Sequence, residues 1–133
     1  MTRAPQILVF TTSTISDPGV ASAGLMRLKY PPQTAIIRVP CSSMIRPEWI
    51  VLAIESGFDG VFVAADGTDC PYLRDCTERT ARGVEAAQKI LASRGVEPER
   101  VRMAAVCSVC GEAFVRIIND FFNALSRLGP VRL

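Results

Sequence analysis

The sequence predicts an α/β fold: an open, doubly wound parallel sheet of four strands, flavodoxin-like in its order 2-1-3-4, with helices on both faces. Three observations predict it: short apolar runs, helix-like segments that alternate with them, and Gly or Pro breakers between the two. Apolar strands alternating with helices are typical of βαβ units, whose parallel sheets are covered on both faces. With no linker or repeat, one domain is expected over residues 1–133.

The first two strands are predicted from short apolar runs. The first run covers residues 7–10 and leads into a polar stretch at 11–16, after which a short helix is expected around 20–28. The hydroxyls that follow the first strand occupy the place of a flavodoxin phosphate loop, which leaves FMN binding as a minor alternative. The second strand covers residues 35–39 and is stopped by a proline.

The next helix and strand are predicted from Pro47 onwards. Proline suits the first turn of a helix because its missing N–H has no intrahelical partner there. Gly57 stands where a left-handed residue commonly ends a helix, and the third strand covers residues 60–65. The apolar side of this helix is expected to be Trp49, Ile50, Leu52, Ala53 and Ile54.

The last part of the chain repeats the pattern. A third helix is predicted from about residue 78 to 94, with Gly95 just past its end, and a fourth strand covers 101–106. A final helix over about 111–128 has a broad apolar face at helical spacing, which is interpreted as core. That face consists of Phe114, Ile117, Ile118, Phe121, Phe122 and Leu125.

Composition excludes some classes of function. The 15 basic and 13 acidic residues give a net charge of +2 without a basic run, whereas a nucleic-acid surface normally has a concentrated basic patch. No signal sequence and no apolar stretch long enough to span a membrane is evident, so a cytoplasmic protein without a membrane span is expected. The mean hydropathy of +0.26 is high for a free-standing small domain. It predicts either an apolar surface that faces a partner or a parallel sheet that is fully covered on both faces.

All five cysteines are predicted to lie at one edge of the sheet. Ligands of open α/β sheets bind outside the carboxyl ends of the strands, and cysteine in a reducing compartment is more often metal-binding or catalytic than disulfide-forming. The chain has no histidine, which excludes a Ser–His–Asp triad, a Cys–His dyad and a histidine-ligated metal. Cys41 follows the second strand, Cys70 and Cys76 follow the third, and Cys107 and Cys110 follow the fourth.

The sequence Cys107-Ser-Val-Cys110 is the most specific cysteine motif. Two intervening residues let the chain turn back on one metal ion, and the same spacing occurs in redox dithiols. With the other cysteines on the same edge, the motif suits a 2Fe–2S cluster, a 4Fe–4S cluster or a zinc ion. Cys41 could instead be a small packing residue, and Cys76 could cap the loop before the third helix.

Short segments spread over nearly the whole chain match a known family. They are LMR at 25–27, YPP at 30–32, IRVPCS at 37–42, GFDGV at 57–61, DCPY at 69–72, GVEPERV at 95–101, GEAF at 111–114 and LGP at 128–130. On these residues the chain resembles the delta subunit of methyl-viologen-reducing hydrogenase.

The resemblance implies a 2Fe–2S subunit that passes electrons between a hydrogenase or formate dehydrogenase and a flavin-containing, heterodisulfide-reductase-like partner. Cys41 and Cys70 stand where the family carries cysteine. The family also has a C-x-x-C after the first strand, where this chain has Thr11-Thr12-Ser13-Thr14, and a cysteine just after the third, where it has Ala65. The chain is therefore interpreted as a divergent member whose cluster site has moved towards the fourth strand.

The leading hypothesis is an iron–sulfur electron carrier, with 2Fe–2S favoured over 4Fe–4S, that belongs to an oxidoreductase complex and is not catalytic alone. The alternatives are a zinc-stapled or cluster-free interaction module of the same complex, and a dithiol oxidoreductase that uses Cys107 and Cys110. Cys70 is expected to be a third ligand. Strands two and four are three spacings apart, roughly 14 Å, so Cys76 is favoured as the fourth ligand on distance and Cys41 on the resemblance.

Overall fold

The four-stranded sheet has the predicted order. The structure, a computed structural model, describes residues 5–12, 34–40, 44–65, 76–105 and 111–129. All neighbouring strands are parallel in the order β2-β1-β3-β4, which confirms the sequence prediction. The described elements are β1 (Ile7–Thr12), β2 (Thr34–Val39), α1 (Pro47–Glu55), β3 (Gly60–Ala65), α2 (Cys76–Ser93), a 3-10 turn (Pro98–Arg100), β4 (Val101–Ala105) and α3 (Gly111–Leu128).

Element boundaries differ little from the prediction. The final helix has its expected limits, whereas α2 begins at Cys76 instead of near residue 78. Strand β1 continues through Thr11 and Thr12, two residues predicted to belong to a polar loop, and both are fully buried. β-Branched residues fit the pleated surface of a strand, which explains the extension. The helix predicted at 20–28 lies outside the described residues.

Both α1 and α2 end in the glycine motif that the sequence predicts. Gly57 and Gly95 have φ angles of 116° and 79°, a region that residues with a Cβ rarely adopt. The amide of Val96 donates to the Leu91 carbonyl at 2.9 Å, and that of Gly95 donates to Ala92 at 3.1 Å. This pair of bonds is the Schellman motif, which stops the helix and turns the chain back towards the sheet.

Two apolar cores lie on opposite faces of the sheet. On one face α1 and α2 cover residues such as Phe10 and Val63, and on the other α3 covers residues such as Val9 and Phe62. The apolar face of α3 is therefore core, as predicted. Within the described part of the chain, the helices include none that is both long and apolar enough to cross a bilayer.

The apolar side of α1 is only partly as predicted. Ile50 and Ile54 are buried in the core, but Trp49 and Leu52 are 42% and 60% exposed. The helix has nine residues, and its apolar positions occur almost all round it, so the sequence pattern does not single out one face. Packing against β3 and α2 selects the buried side and leaves Trp49 and Leu52 outside it.

Candidate metal centre

The carboxyl ends of the four strands lie at one level. In the register of the sheet, Thr12 pairs with Val39, and Ala65 pairs with Ala105. The pairing of Phe10 with Val63 sets β1 level with β3, so each strand ends at the same height. Any short loop that follows a strand therefore begins from one common edge.

Four of the five cysteines follow these strand ends closely. Cys41 comes two residues after β2 and Cys70 five residues after β3, while Cys107 and Cys110 come two and five residues after β4. These four lie outside the described residues. Cys76 is the first residue of α2, and its side chain also lies outside the description. Which of the five sulfur atoms bind a common metal is therefore still a prediction from the sequence.

The order of the strands sets the distances over which these loops must reach. Strands β3 and β4 are neighbours, about 4.8 Å apart, and Cys70, Cys107 and Cys110 follow them. Strand β2 is at the far side, three spacings or roughly 14 Å from β4. Among the residues that the structure describes, no group of three or more His, Cys, Asp or Glu side chains could hold a metal ion.

Residues of the sheet stand at positions where the resemblance implies cysteine. Ala65, at the end of β3, is fully buried, and so are Thr11 and Thr12 at the end of β1. Both threonines have interaction partners. The FMN alternative invoked hydroxyls at 11–14 in a loop, but two of these residues belong to the strand, and Ser13 and Thr14 lie outside the described residues.

The opposite, amino-terminal edge of the sheet is held by a buried arginine. Arg100 is 1% exposed and donates from Nη1 to the Asp59 carbonyl at 3.0 Å, from Nη2 to the Gly129 carbonyl at 2.7 Å, and from Nε to the Glu97 carboxylate at 2.6 Å. The Asp59 carboxylate in turn accepts the Gln6 amide at 2.9 Å. We call these five residues the amino-edge clamp. It ties the entries of β1, β3 and β4 to the end of α3.

Within the clamp, Arg100 and Glu97 form a charge-assisted hydrogen bond. The hydrogen bond from Arg100 lowers the pKa of Glu97 below its ordinary value of 4.5. The Glu97 side chain is 43% exposed, whereas that of Arg100 is 1% exposed, so the carboxylate stays partly solvated while the guanidinium is not.

Several residues that carry the family resemblance form the hydrogen bonds of this clamp. Asp59, Glu97, Arg100 and Gly129 all fall within segments that matched the family. Sequence reasoning did not predict that a charged side chain would be among the most buried in the chain. The available signal was the i, i+3 spacing of Glu97 and Arg100 directly before an apolar strand, which permits a local ion pair.

Comparison with known proteins identifies the family of this chain. The family model for the methyl-viologen-reducing hydrogenase delta subunit matches residues 7–129. The chain belongs to this family. Its relatives include an F420-non-reducing hydrogenase iron-sulfur subunit from Archaeoglobus profundus, 33% identical over 96% of this chain and 93% of that protein. The iron-sulfur subunit of the vhc F420-non-reducing hydrogenase from Methanococcus voltae is 34% identical over 97% of this chain and 90% of that protein.

A second kind of relative contains the delta-subunit region inside a longer chain. One subunit of the ferredoxin/F420H2-dependent CoB-CoM heterodisulfide reductase of Methanosarcina acetivorans is 29% identical over 97% of this chain. The match spans only 16% of that protein. The delta-subunit region therefore occurs both as most of one protein and as a small part of a much larger one.

Proposed function

We propose that this delta-subunit family member is an electron-transfer protein that holds a cysteine-ligated iron–sulfur cluster, of the 2Fe–2S type, at the carboxyl edge of its sheet. The observation that carries the proposal is the common level of the strand ends, together with the cysteines that follow three of them. Iron–sulfur clusters are held by cysteine thiolates, and the chain has five cysteines and no histidine. Its hydrogenase relatives are named iron-sulfur subunits.

The proposed ligands are Cys107, Cys110 and Cys70, with Cys76 or Cys41 as the fourth. Cys107 and Cys110 form the close-spaced pair, and Cys70 follows the strand next to theirs. Metal–sulfur bonds are only about 2.3 Å long, so all four sulfur atoms must converge on a small volume. A loop from β3 reaches β4 over one strand spacing, whereas Cys41 starts three spacings away, which favours Cys76.

The proposed partners are a hydrogenase or formate dehydrogenase and a heterodisulfide-reductase-like flavoprotein, between which this protein passes electrons. The support is the pair of relationships: hydrogenase iron-sulfur subunits on one side and heterodisulfide reductase chains on the other. A region that is found alone and also within a heterodisulfide reductase chain fits a role between the two. The protein is proposed to act in the cytoplasm and to catalyse no reaction without these partners.

The test is cluster content after anaerobic purification. Cys107→Ser and Cys110→Ser are expected to lose most of the bound iron and sulfide, and Cys70→Ser to do the same, because each removes one of four thiolates. The reduced wild-type protein should show the electron paramagnetic resonance signal of a 2Fe–2S cluster. Unchanged iron content in both Cys107→Ser and Cys110→Ser would contradict the assignment.

A matched pair of variants decides the fourth ligand. If Cys76 is the ligand, Cys76→Ser loses iron and Cys41→Ser retains it, and the reverse pattern assigns Cys41. Colourless protein with stoichiometric zinc would instead identify a zinc-stapled module. Metal-free protein with a titratable Cys107–Cys110 dithiol would identify a thiol oxidoreductase, the function that this C-x-x-C pair otherwise favours.

A further inference from the structure

Within the residues that the structure describes, the exposed large apolar side chains lie in one short part of the chain. They belong to β2, to α1 or to the connection between them, and are between 39% and 60% exposed. Elsewhere in the described ranges, large apolar side chains are buried or half-buried. Clusters of exposed apolar residues mark interaction sites more often than scattered ones do. The five are Ile36, Ile37, Met44, Trp49 and Leu52.

Three of these residues border a groove of about 560 Å³ between β2 and α1. The register places Phe10 beside Ile37, so these strand residues line one side of the groove, and Trp49 and Leu52 of α1 line the other. We call this space the β2–α1 groove. It is open to solvent because α1 packs towards β3 and α2 and leaves the side chain of Ile37 46% exposed.

The described lining of the groove is apolar, which favours an apolar occupant over a polar small molecule. Nine of the ten described residues that line it are apolar. The tenth, Ser56, donates its hydroxyl to the Leu52 carbonyl at 2.7 Å, which satisfies the donor. Sites for cofactors and substrates combine apolar walls with several convergent polar groups, and the described lining of the groove presents none.

Among the described residues, no helix covers this part of the sheet. On this face of the sheet the core contains α1 and α2, and no described helix lies over the exposed edge strand β2. Parallel sheets are normally covered by helices on both faces. One further helix, packed about 8–10 Å from the axis of α1, would cover Ile37, Trp49 and Leu52.

We infer that the β2–α1 groove receives an amphipathic helix of the heterodisulfide-reductase-like partner, an inference that rests on the proposed function. In the heterodisulfide reductase relatives the delta-subunit region is 16% of the chain, so there it has a permanent covalent neighbour. The groove reaches Val39, two residues before Cys41. A partner seated in it therefore lies at the same edge of the sheet as the proposed cluster, with β2 three strand spacings or roughly 14 Å from β4. An apolar ridge at helical spacing is what such a groove accepts.

The experiment measures binding of the full, cluster-loaded chain to the purified heterodisulfide-reductase-like flavoprotein of the same organism, under anaerobic conditions. Leu52→Glu and Trp49→Ala should each raise the dissociation constant at least about 30-fold, which is the loss of affinity expected at an apolar hot spot. The matched control is Asn123→Glu, which adds the same charge at an exposed position of α3 on the other face and should change binding less than about twofold. Iron content and melting temperature should stay at wild-type values in all three variants.

Each outcome decides the inference. Groove variants that bind as tightly as the wild type would overturn it and leave the proposed function standing. An isolated wild-type chain that is dimeric, and that Leu52→Glu converts to a monomer, would assign the groove to a second copy of this chain instead. A wild-type chain without iron would overturn the proposed function, while the comparison of variants would still decide the groove. A cluster-bearing wild-type chain that does not bind the flavoprotein would overturn both the partner and the docking site.

Discussion

Strands β3 and β2 are both rich in apolar residues, yet all six residues of β3 are buried and four of the six in β2 are exposed. Strand β3 is paired on both sides, with β1 and β4, and it is covered by helices on both faces. Strand β2 has one strand neighbour in the described sheet, and α1 lies away from it. The difference comes from position in the sheet and not from local composition.

This contrast separates the molecule into two functional halves. The half around β3, with α3 and the amino-edge clamp, is closely packed and holds the strand ends at one level. The half around β2 and the outer side of α1 presents apolar surface to the outside. Substitutions should therefore affect stability in the first half, and association in the second, and the following variants test that division.

The largest effect is expected from Arg100→Met. The substitution removes a buried hydrogen bond to the Asp59 carbonyl and a partly buried one to the Gly129 carbonyl, and a hydrogen bond from a charged donor contributes about 1.5–3 kcal/mol. We expect the free energy of unfolding to fall by about 3 kcal/mol, as measured by urea denaturation. The control is Arg94→Met, which breaks the exposed ion pair with Glu55 and should cost less than about 1 kcal/mol. Equal losses of unfolding free energy in the two variants would contradict the expectation that the buried arginine contributes more to stability than the exposed one.

The next effect is expected from Gly60→Ala at the start of β3. A Cβ there would lie 2.5 Å from Leu125 Cδ1 and 2.8 Å from Phe121 Cζ, so the buried side chains of α3 would have to move. Overpacking of this kind costs about 1–3 kcal/mol. Gly83→Ala is the matched control, because the nearest atom to its new Cβ would be the Ile45 carbonyl oxygen at 3.6 Å, and alanine in a helix should raise stability by about 0.5–1 kcal/mol. Thermal unfolding of both variants should show shifts of opposite sign.

A smaller effect is expected from the ionisation of Glu97. Its pKa in the folded protein is below the ordinary value of 4.5 because Arg100 donates to the carboxylate. The resulting stabilisation is present above pH 4.5 and declines as pH falls through the folded-state pKa. Glu97→Gln should cost less than about 1 kcal/mol at neutral pH, since the side chain is partly exposed, and its difference from the wild type should vanish at low pH. A difference that does not change with pH would show that the carboxylate's charge is not involved.

The smallest effect is expected in β2 itself. Ile37→Thr should change the free energy of unfolding by less than about 0.5 kcal/mol, because surface substitutions rarely exceed this. Val63→Thr places the same hydroxyl in β3, where the side chain is fully buried, and a buried hydroxyl without a partner costs about 1–3 kcal/mol. If the denaturation curves of the two variants shift by similar amounts, the expected difference in stability contribution between β2 and β3 is wrong.

Much of the fold could be predicted because local signals agreed. Apolar runs of strand length, Pro47 at a helix start, and Gly57 and Gly95 at helix ends act through the backbone of a few residues. They predicted the described strands, helices and strand order. The edge for the candidate metal centre followed from the same pattern, because parallel strands place their carboxyl ends together.

The remainder depends on contacts between residues that are distant in sequence. Trp49 and Leu52 were expected on the buried side of α1, but a nine-residue helix that is apolar almost all round is oriented by its neighbours. The burial of Arg100 depends on carbonyl groups of Asp59 and Gly129, which lie 41 and 29 positions away along the chain. Charge alone predicts a solvated arginine.

The sequence by itself determined which segments are strands and helices, that the strands are parallel, and that the cysteines follow strand ends. These properties depend on local backbone preferences and on the connections between strands. Only the tertiary structure decided that β2 is exposed while β3 is enclosed, that Arg100 holds the amino-terminal edge, and that an apolar groove opens beside α1. The physical reason is that burial and the satisfaction of hydrogen-bonding groups depend on what surrounds a side chain in space, and similar apolar runs acquire different surroundings at the centre and at the edge of a sheet.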